Sequence, residues 1–231
     1  VDELNAVQVV AAGTNGLEAE PGESTIFSIS VRNTGNTPAQ YSLSCTPELD
    51  GWQVMLGGSN SSSLEFEPLN ILEYLPMAIT IVIPPVNDGA PAADSTGTVS
   101  CTVTSKKDSS FSYQEVVSIL VLEQPNFETL LKNGEIHIPP STEYPDLSVD
   151  SGDLLNLTLE VSNTGNTPID LEVSVQPSDP TWAFELNYDG ERQSQRFDIS
   201  ILPGEVETVD ITFSVPAVAS EGDSNMYNIR I

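Results

Sequence analysis

VRNTGNTPAQY, Val31 to Tyr41, returns 130 residues later as VSNTGNTPIDL, Val161 to Leu171. Six consecutive letters, NTGNTP, are kept while their neighbours drift, Arg32 becoming Ser162 and Ala39 becoming Ile169. At the same offset, without a gap, Gly22 matches Gly152, Pro38 matches Pro168, Pro47 matches Pro177 and Trp52 matches Trp182. Self-similarity at a fixed spacing marks one structural unit used twice.

The residues flanking the motif alternate with a period of two. Phe27, Ile29 and Val31 fall on one face before it, and Tyr41, Leu43 and Cys45 on one face after it. Their counterparts are Leu157, Leu159 and Val161, then Leu171, Val173 and Val175. This is the pattern of half-buried strands. Ile79, Ile81 and Ile83 continue it, then Val99, Cys101 and Val103, and YQEVVSILVL closes the first unit near Leu122. IVIPP is echoed by FSVPA, Pro84 answering Pro216 after a two-residue insertion. No segment of useful length has helical periodicity, and Pro- and Gly-containing turns punctuate the strands at the short spacing of a sandwich.

NTGNTP therefore reads as a connector between strands. Gly35 and Gly165 are placed to take positive φ, the Asn and Thr side chains to bond freed backbone groups, and Pro38 and Pro168 to mark the start of the next strand. The competing reading is a binding loop presented twice.

With 34 Asp and Glu against 7 Lys and Arg the formal charge is −27, spread along the chain. Nucleic acid is excluded as a partner, because phosphate binding needs clustered cations and only Lys106 and Lys107 adjoin. The acidity fits either salty surroundings, where ions screen self-repulsion, or an ordinary acidic extracellular protein. No apolar run approaches the ~18 residues of a membrane helix. The chain begins at Val1 without Met or a leader, as expected of a processed protein or of a piece of a longer one, and this does not argue against secretion.

In order, EPGESTIFSISVRNTGNTP, Gly51-Trp52, DSGDLLNLTLEVSNTGNTP, Trp182 and ILPGEVETVDITFSVPAVA carry a family likeness. The pattern resembles the immunoglobulin-like domain associated with prokaryotic alpha-galactosidases (the NPCBM-associated domain) and is similar to cell-adhesion-related domains of prokaryotic, especially archaeal, surface proteins. The first copy departs from it at LNILEYLP, where LPGE is expected. The resemblance implies an all-β fold of two tandem immunoglobulin-like (fibronectin type III-like) antiparallel β-sandwiches and offers no catalytic motif. The expected domains are residues 1–122, a linker at 123–134 with Phe127, Leu130 and Leu131 packed at an interface, and residues 135–231 lacking the last strand.

Cys45 aligns with Val175 and Cys101 with Ile229, apolar positions on strands that pair or face one another, so a core disulfide and an oxidising compartment are expected. Asn60 in NSS and Asn156 in NLT fit the N-glycan acceptor pattern, Asn60 in a polar loop and Asn156 in a strand. Trp52 and Trp182 read either as equivalent core plugs or as sugar-stacking platforms. The single histidine, His137, flanks a strand rather than serving as a base. Asp146, Asp150 and Asp153 come nearest to a calcium cluster but miss the helical-loop spacing, leaving a solvated acidic turn as the alternative. No other cofactor is indicated, and no nucleophile elbow, P-loop or zinc spacing occurs.

Three function classes follow. The first is a non-catalytic extracellular spacer or adhesion module, one part of a longer surface protein with protein or carbohydrate ligands. The second is a carbohydrate-binding accessory of a secreted glycoside hydrolase, which requires an exposed Trp52 or Trp182. The third is an assembly subunit that adds a strand at its C-terminal edge.

Overall fold

The computed structural model of the chain describes residues 3–86, 91–138 and 147–231. They form an all-β sandwich protein whose strands are numbered β1 to β18 in chain order. The chain divides into two compact units, Val1–Gln124 and Pro125–Ile231.

In the first unit one sheet has the order β1 (Val7–Ala12), β3 (Ser24–Asn33), β7 (Tyr74–Val82), β5 (Gln53–Leu56). The other has the order β2 (Leu17–Ala19), β9 (Ser112–Val121), β8 (Thr96–Ser105), β4 (Tyr41–Pro47), β6 (Ser63–Glu65). Every pairing is antiparallel except that of β2 with β9. The alternation read in the sequence sets the faces: Phe27, Ile29 and Val31 of one sheet meet Leu43, Cys45, Val99, Val103, Val117 and Ile119 of the other in a single buried core. Outward positions such as Ser28 and Ser30 leave each sheet half wet, as antiparallel pairing permits.

The second unit repeats the plan. Its larger sheet has the order β11 (Ile136–Ile138), β10 (Phe127–Asn133), β12 (Leu154–Asn163), β17 (Val206–Ser214), β14 (Phe184–Tyr188), β15 (Glu191–Gln193). Its smaller sheet has three strands, β16 (Arg196–Ile201), β13 (Ile169–Pro177) and β18 (Tyr227–Arg230). Leu157, Leu159 and Val161 pack with Val173, Ile199, Val209 and Ile211 in a separate core.

The segment read as a linker is corrected here. Residues 127–133 are strand β10, paired with β12 from Phe127 opposite Asn163 as β1 pairs with β3 from Val7 opposite Asn33. The spacing of these equivalent starts is 120 residues rather than 130, because the connection that follows β10 is longer than the one that follows β1. A gapless comparison therefore slides past it. Its residues are all exposed or half-buried, which also blurs the alternation.

β18 takes the place of β8. Ile229 stands opposite Val175 on β13 as Cys101 stands opposite Cys45 on β4. Among the described residues β18 ends its sheet, whereas β8 is followed by β9 and then β2. Leu147, Ser148 and Val149, which stand 130 residues after β2, form no strand.

Candidate functional site

The repeated motif carries the chain from one sheet to the other, β3 to β4 and β12 to β13, and its first letter makes the bonds. Asn33 is fully buried. Its Nδ2 donates to the carbonyls of Thr37 at 2.8 Å and Leu69 at 2.9 Å. Its Oδ1 accepts the Gly35 N–H at 2.9 Å and lies 3.1 Å from the Tyr41 hydroxyl. Asn163, also buried, donates to Thr167 and Ile201 carbonyls, both at 2.9 Å, and accepts the Gly165 N–H at 2.9 Å. Each side chain folds its own connector and ties it to the chain lying beside the start of the next strand: Leu69, just after β6, stands opposite Ala39, and Ile201, the last residue of β16, stands opposite Ile169 of β13. A buried amide this well satisfied specifies one arrangement, since any shift would strand a polar group away from water.

The glycine serves a purpose other than the one read from the sequence. Neither Gly35 nor Gly165 is among the glycines with positive φ. A Cβ at Gly35 would collide with the Leu4 carbonyl oxygen, so the position is small because the backbone entering β1 crosses over it. Thr34 and Asn36 donate their N–H groups to Ala6 and Leu4 carbonyls at 3.0 and 3.1 Å, and the Tyr41 hydroxyl reaches the Ala6 carbonyl at 3.0 Å. Burial holds the Tyr41 phenol above its ordinary pKa. In the second unit Leu171 replaces Tyr41, and that bond has no counterpart.

Cys45 and Cys101 are joined in a disulfide with a Cα–Cα distance of 4.0 Å. The bond links neighbouring strands of one sheet, at a pair where the Cys45 N–H turns away to the Ser62 carbonyl at 2.8 Å. Such non-hydrogen-bonded pairs bring side chains closest, which is why two cysteines meet there. Disulfides persist in oxidising compartments.

The tryptophans are not equivalent plugs. Trp52 is 5% exposed and presses on Gly97, where a Cβ would stand 2.5 Å from its Cη2. Trp182 is half-buried and lies outside the second core. By the shared register the residue facing it in sequence is Asn225, four before Ile229 as Gly97 is four before Cys101. Asn225 is engaged instead with Ser178 at 2.6 Å and the Asp179 N–H at 2.8 Å. The second unit carries instead an aromatic cluster in which Tyr227 lies 4.1 Å from Phe213 and 6.3 Å from Phe184, ring centre to ring centre.

Asn60 is exposed in the turn between β5 and β6, open to modification. Asn156 is exposed on β12 and accepts the Thr212 hydroxyl at 2.9 Å. His137 is exposed on β11 opposite Lys132. Asp150 and Asp153 form a turn in which the Asp153 N–H meets the Asp150 carbonyl at 3.1 Å, while Asp146 lies outside the described residues. Among the described residues no three His, Cys, Asp or Glu gather at a metal-binding distance. Nor, among them, is any helix long and apolar enough to cross a membrane.

No family model and no curated protein matches the sequence. Solved structures match it in shape. The CsuC-CsuE chaperone–tip adhesion subunit pre-assembly complex of the Csu pili of Acinetobacter baumannii aligns over 97% of this chain and 99% of its own, at 10% identity and a TM-score of 0.41. A Porphyromonas gingivalis protein of unknown function aligns over 90% of this chain and 83% of its own, at 16% identity and a TM-score of 0.33. The secreted serine protease VesC of Vibrio cholerae aligns over 97% of this chain at 10% identity and a TM-score of 0.33, and this chain spans only 49% of the protease's length. Identities and scores this low leave the function to be argued from the molecule itself.

Proposed function

We propose that this chain is a non-catalytic extracellular spacer and adhesion module, a tandem pair of immunoglobulin-like sandwiches within a prokaryotic surface or secreted protein. The observation that carries the reading is the buried asparagine node, built at the same crossing between sheets in both units. Repeating a self-sufficient unit is how chains build reach and present surfaces without chemistry of their own. The disulfide and the exposed Asn60 agree with a location outside the cytosol. The family resemblance set out above points the same way.

The test is mass spectrometry of the protein taken from its native cells under thiol-blocking, non-reducing conditions, with fractionation. An oxidised Cys45–Cys101 pair in the surface or secreted fraction is expected; free thiols in a cytosolic fraction would overturn the reading. A second arm addresses the half-buried Trp182: its emission should not respond to a polysaccharide panel. A shift with one glycan would transfer the assignment to a carbohydrate-binding accessory.

A further inference from the structure

The outward side of the β1-β3-β7-β5 sheet is unlike the rest of this acidic surface. Its four strands read VQVVAA, STIFSISVRN, YLPMAITIV and QVML; they hold no Asp or Glu, and Arg32 is their one charge. Val10, Ile26 and Tyr74 stand outward at 53%, 60% and 66% exposure, with Pro76 and Ala78 exposed beside them. Cross-strand rows connect these residues: Val10, Ser30 and Pro76 form one, and Ala12, Ser28 and Ala78 the next. The second row consists of small side chains only, so another sheet can approach it closely.

The matching positions of the second unit are charged. By the shared pairing, Gln8, Ser30, Met55 and Ala78 correspond to Glu128, Glu160, Glu185 and Asp210. Glu160 is ion-paired with Lys132 and Glu185 with Arg192. A second irregularity borders the uncharged face. Leu72 takes a φ of 63° where the second unit has Gly204 at 78°, and both donate their N–H to the carbonyl of the node asparagine, at 2.9 and 3.0 Å. A side chain is disfavoured in that conformation. Leu72 and its neighbour Ile71 nevertheless remain exposed, so the strain is offset by no burial within the chain. Arg32, opposite Tyr74, donates its Nε–H to the Leu72 carbonyl at 3.3 Å and fixes this apolar turn to the end of the face.

We infer that two copies of this chain associate face to face through the outward side of the β1-β3-β7-β5 sheet. Charge selects the occupant. A basic partner would be drawn by carboxylates, and this face has none; what their absence admits is a partner as acidic as the chain itself. A second copy is such a partner, and a two-fold contact sets its matching apolar face against this one. Size sets the strength. Strands of four to ten residues, at ~3.3 Å per residue and ~4.8 Å apart, make a face of about 450 Å², or about 900 Å² over both copies. An area of that order gives weak, reversible association. The inference goes beyond the spacer reading, and its failure would leave that reading intact.

The test is sedimentation equilibrium of the whole chain at concentrations rising to about 0.5 mM, in low salt and in about 1 M salt. A reversible equilibrium between monomer and dimer is expected. Salt should tighten it, because ions screen the repulsion between two acidic copies and leave the apolar contact intact. Ala78→Asp and Ser30→Glu each write the second unit's residue into an outward position, so the fold is kept, as an unshifted calorimetric transition should show. Either should weaken dimerisation at least about tenfold by placing like charges across the contact. Asp210→Ala, at the matching place in the second unit, should change it less than about twofold. A monomer under every condition would overturn the proposal. So would a dimer that salt dissociates, a dimer indifferent to both first-unit variants, or one equally sensitive to Asp210→Ala.

Discussion

The two units solve one topology with different materials. The first secures the sheet that holds β4 with five strands, a disulfide and a buried tryptophan; the second keeps the asparagine node and the alternating core but has Val175 and Ile229 where the cysteines stand, and an aromatic cluster where the first unit is aliphatic. What the two share is the connection between sheets, and what they vary is how each sheet is secured. The node therefore specifies the fold, while the disulfide and Trp52 add stability to a fold already specified.

That division can be broken experimentally, with the disulfide giving the largest expected effect. Replacing the cysteines by their counterparts, Cys45→Val with Cys101→Ile, opens a loop of 56 residues and should cost the first unit about 4 kcal/mol by chain entropy. Differential scanning calorimetry should show one transition falling and the other unmoved; reductant should have the same selectivity. Trp52→Ala should cost about 3–4 kcal/mol through the cavity it leaves, against less than about 1 kcal/mol for Trp182→Ala, both read by urea unfolding.

Asn33→Ala and Asn163→Ala sharpen the opposite side of the comparison, since both units should suffer. Each strands buried carbonyls and an N–H, at about 3 kcal/mol by urea unfolding, with Asn33 the more costly because it also meets Tyr41. If only the first unit responded, the node would not be the shared determinant. Tyr41→Phe should cost about 1 kcal/mol and make the first node resemble the second.

The smallest effect is electrostatic. Hydrogen bonds from Lys107 and Thr37 lower the Glu3 pKa, bonds from the Ser110 side chain and backbone lower that of Asp108, and bonds from the Thr181 backbone and side chain lower that of Asp179. A depressed folded-state pKa contributes stability that is present above the ordinary carboxylate range, about pH 4, and is lost as pH falls through the folded value. Melts in acid should therefore decline below that range, with two of the three groups acting on the first unit. At neutral pH added salt should raise both transitions by screening the −27 charge.

The strands around NTGNTP were legible because burial imposes a period of two, and the cysteines were legible as a facing pair because their counterparts, Val175 and Ile229, are apolar. The local bonds of Asn33 to Gly35 and Thr37 were legible as turn chemistry, but its burial and its bond to Leu69 were not, since a long-range bond leaves no local trace. β10 was lost to a change of offset, a limit of any comparison without gaps. Trp182 misled because identical letters share a position in the chain but not a neighbour: Gly97 makes room for one indole, and Asn225 does not stand aside for the other.

The staple between β4 and β8 also sets what the protein does under tension. Pulled from its termini, the first unit in its oxidised form can unravel only outside Cys45 and Cys101, so the 56-residue span between them is withheld from extension. At no more than about 3.6 Å per residue, that withholds about 200 Å of slack, released when the bond is reduced. The second unit, with no such staple, yields its whole length, so a redox change alters the extensibility of one half of the molecule only.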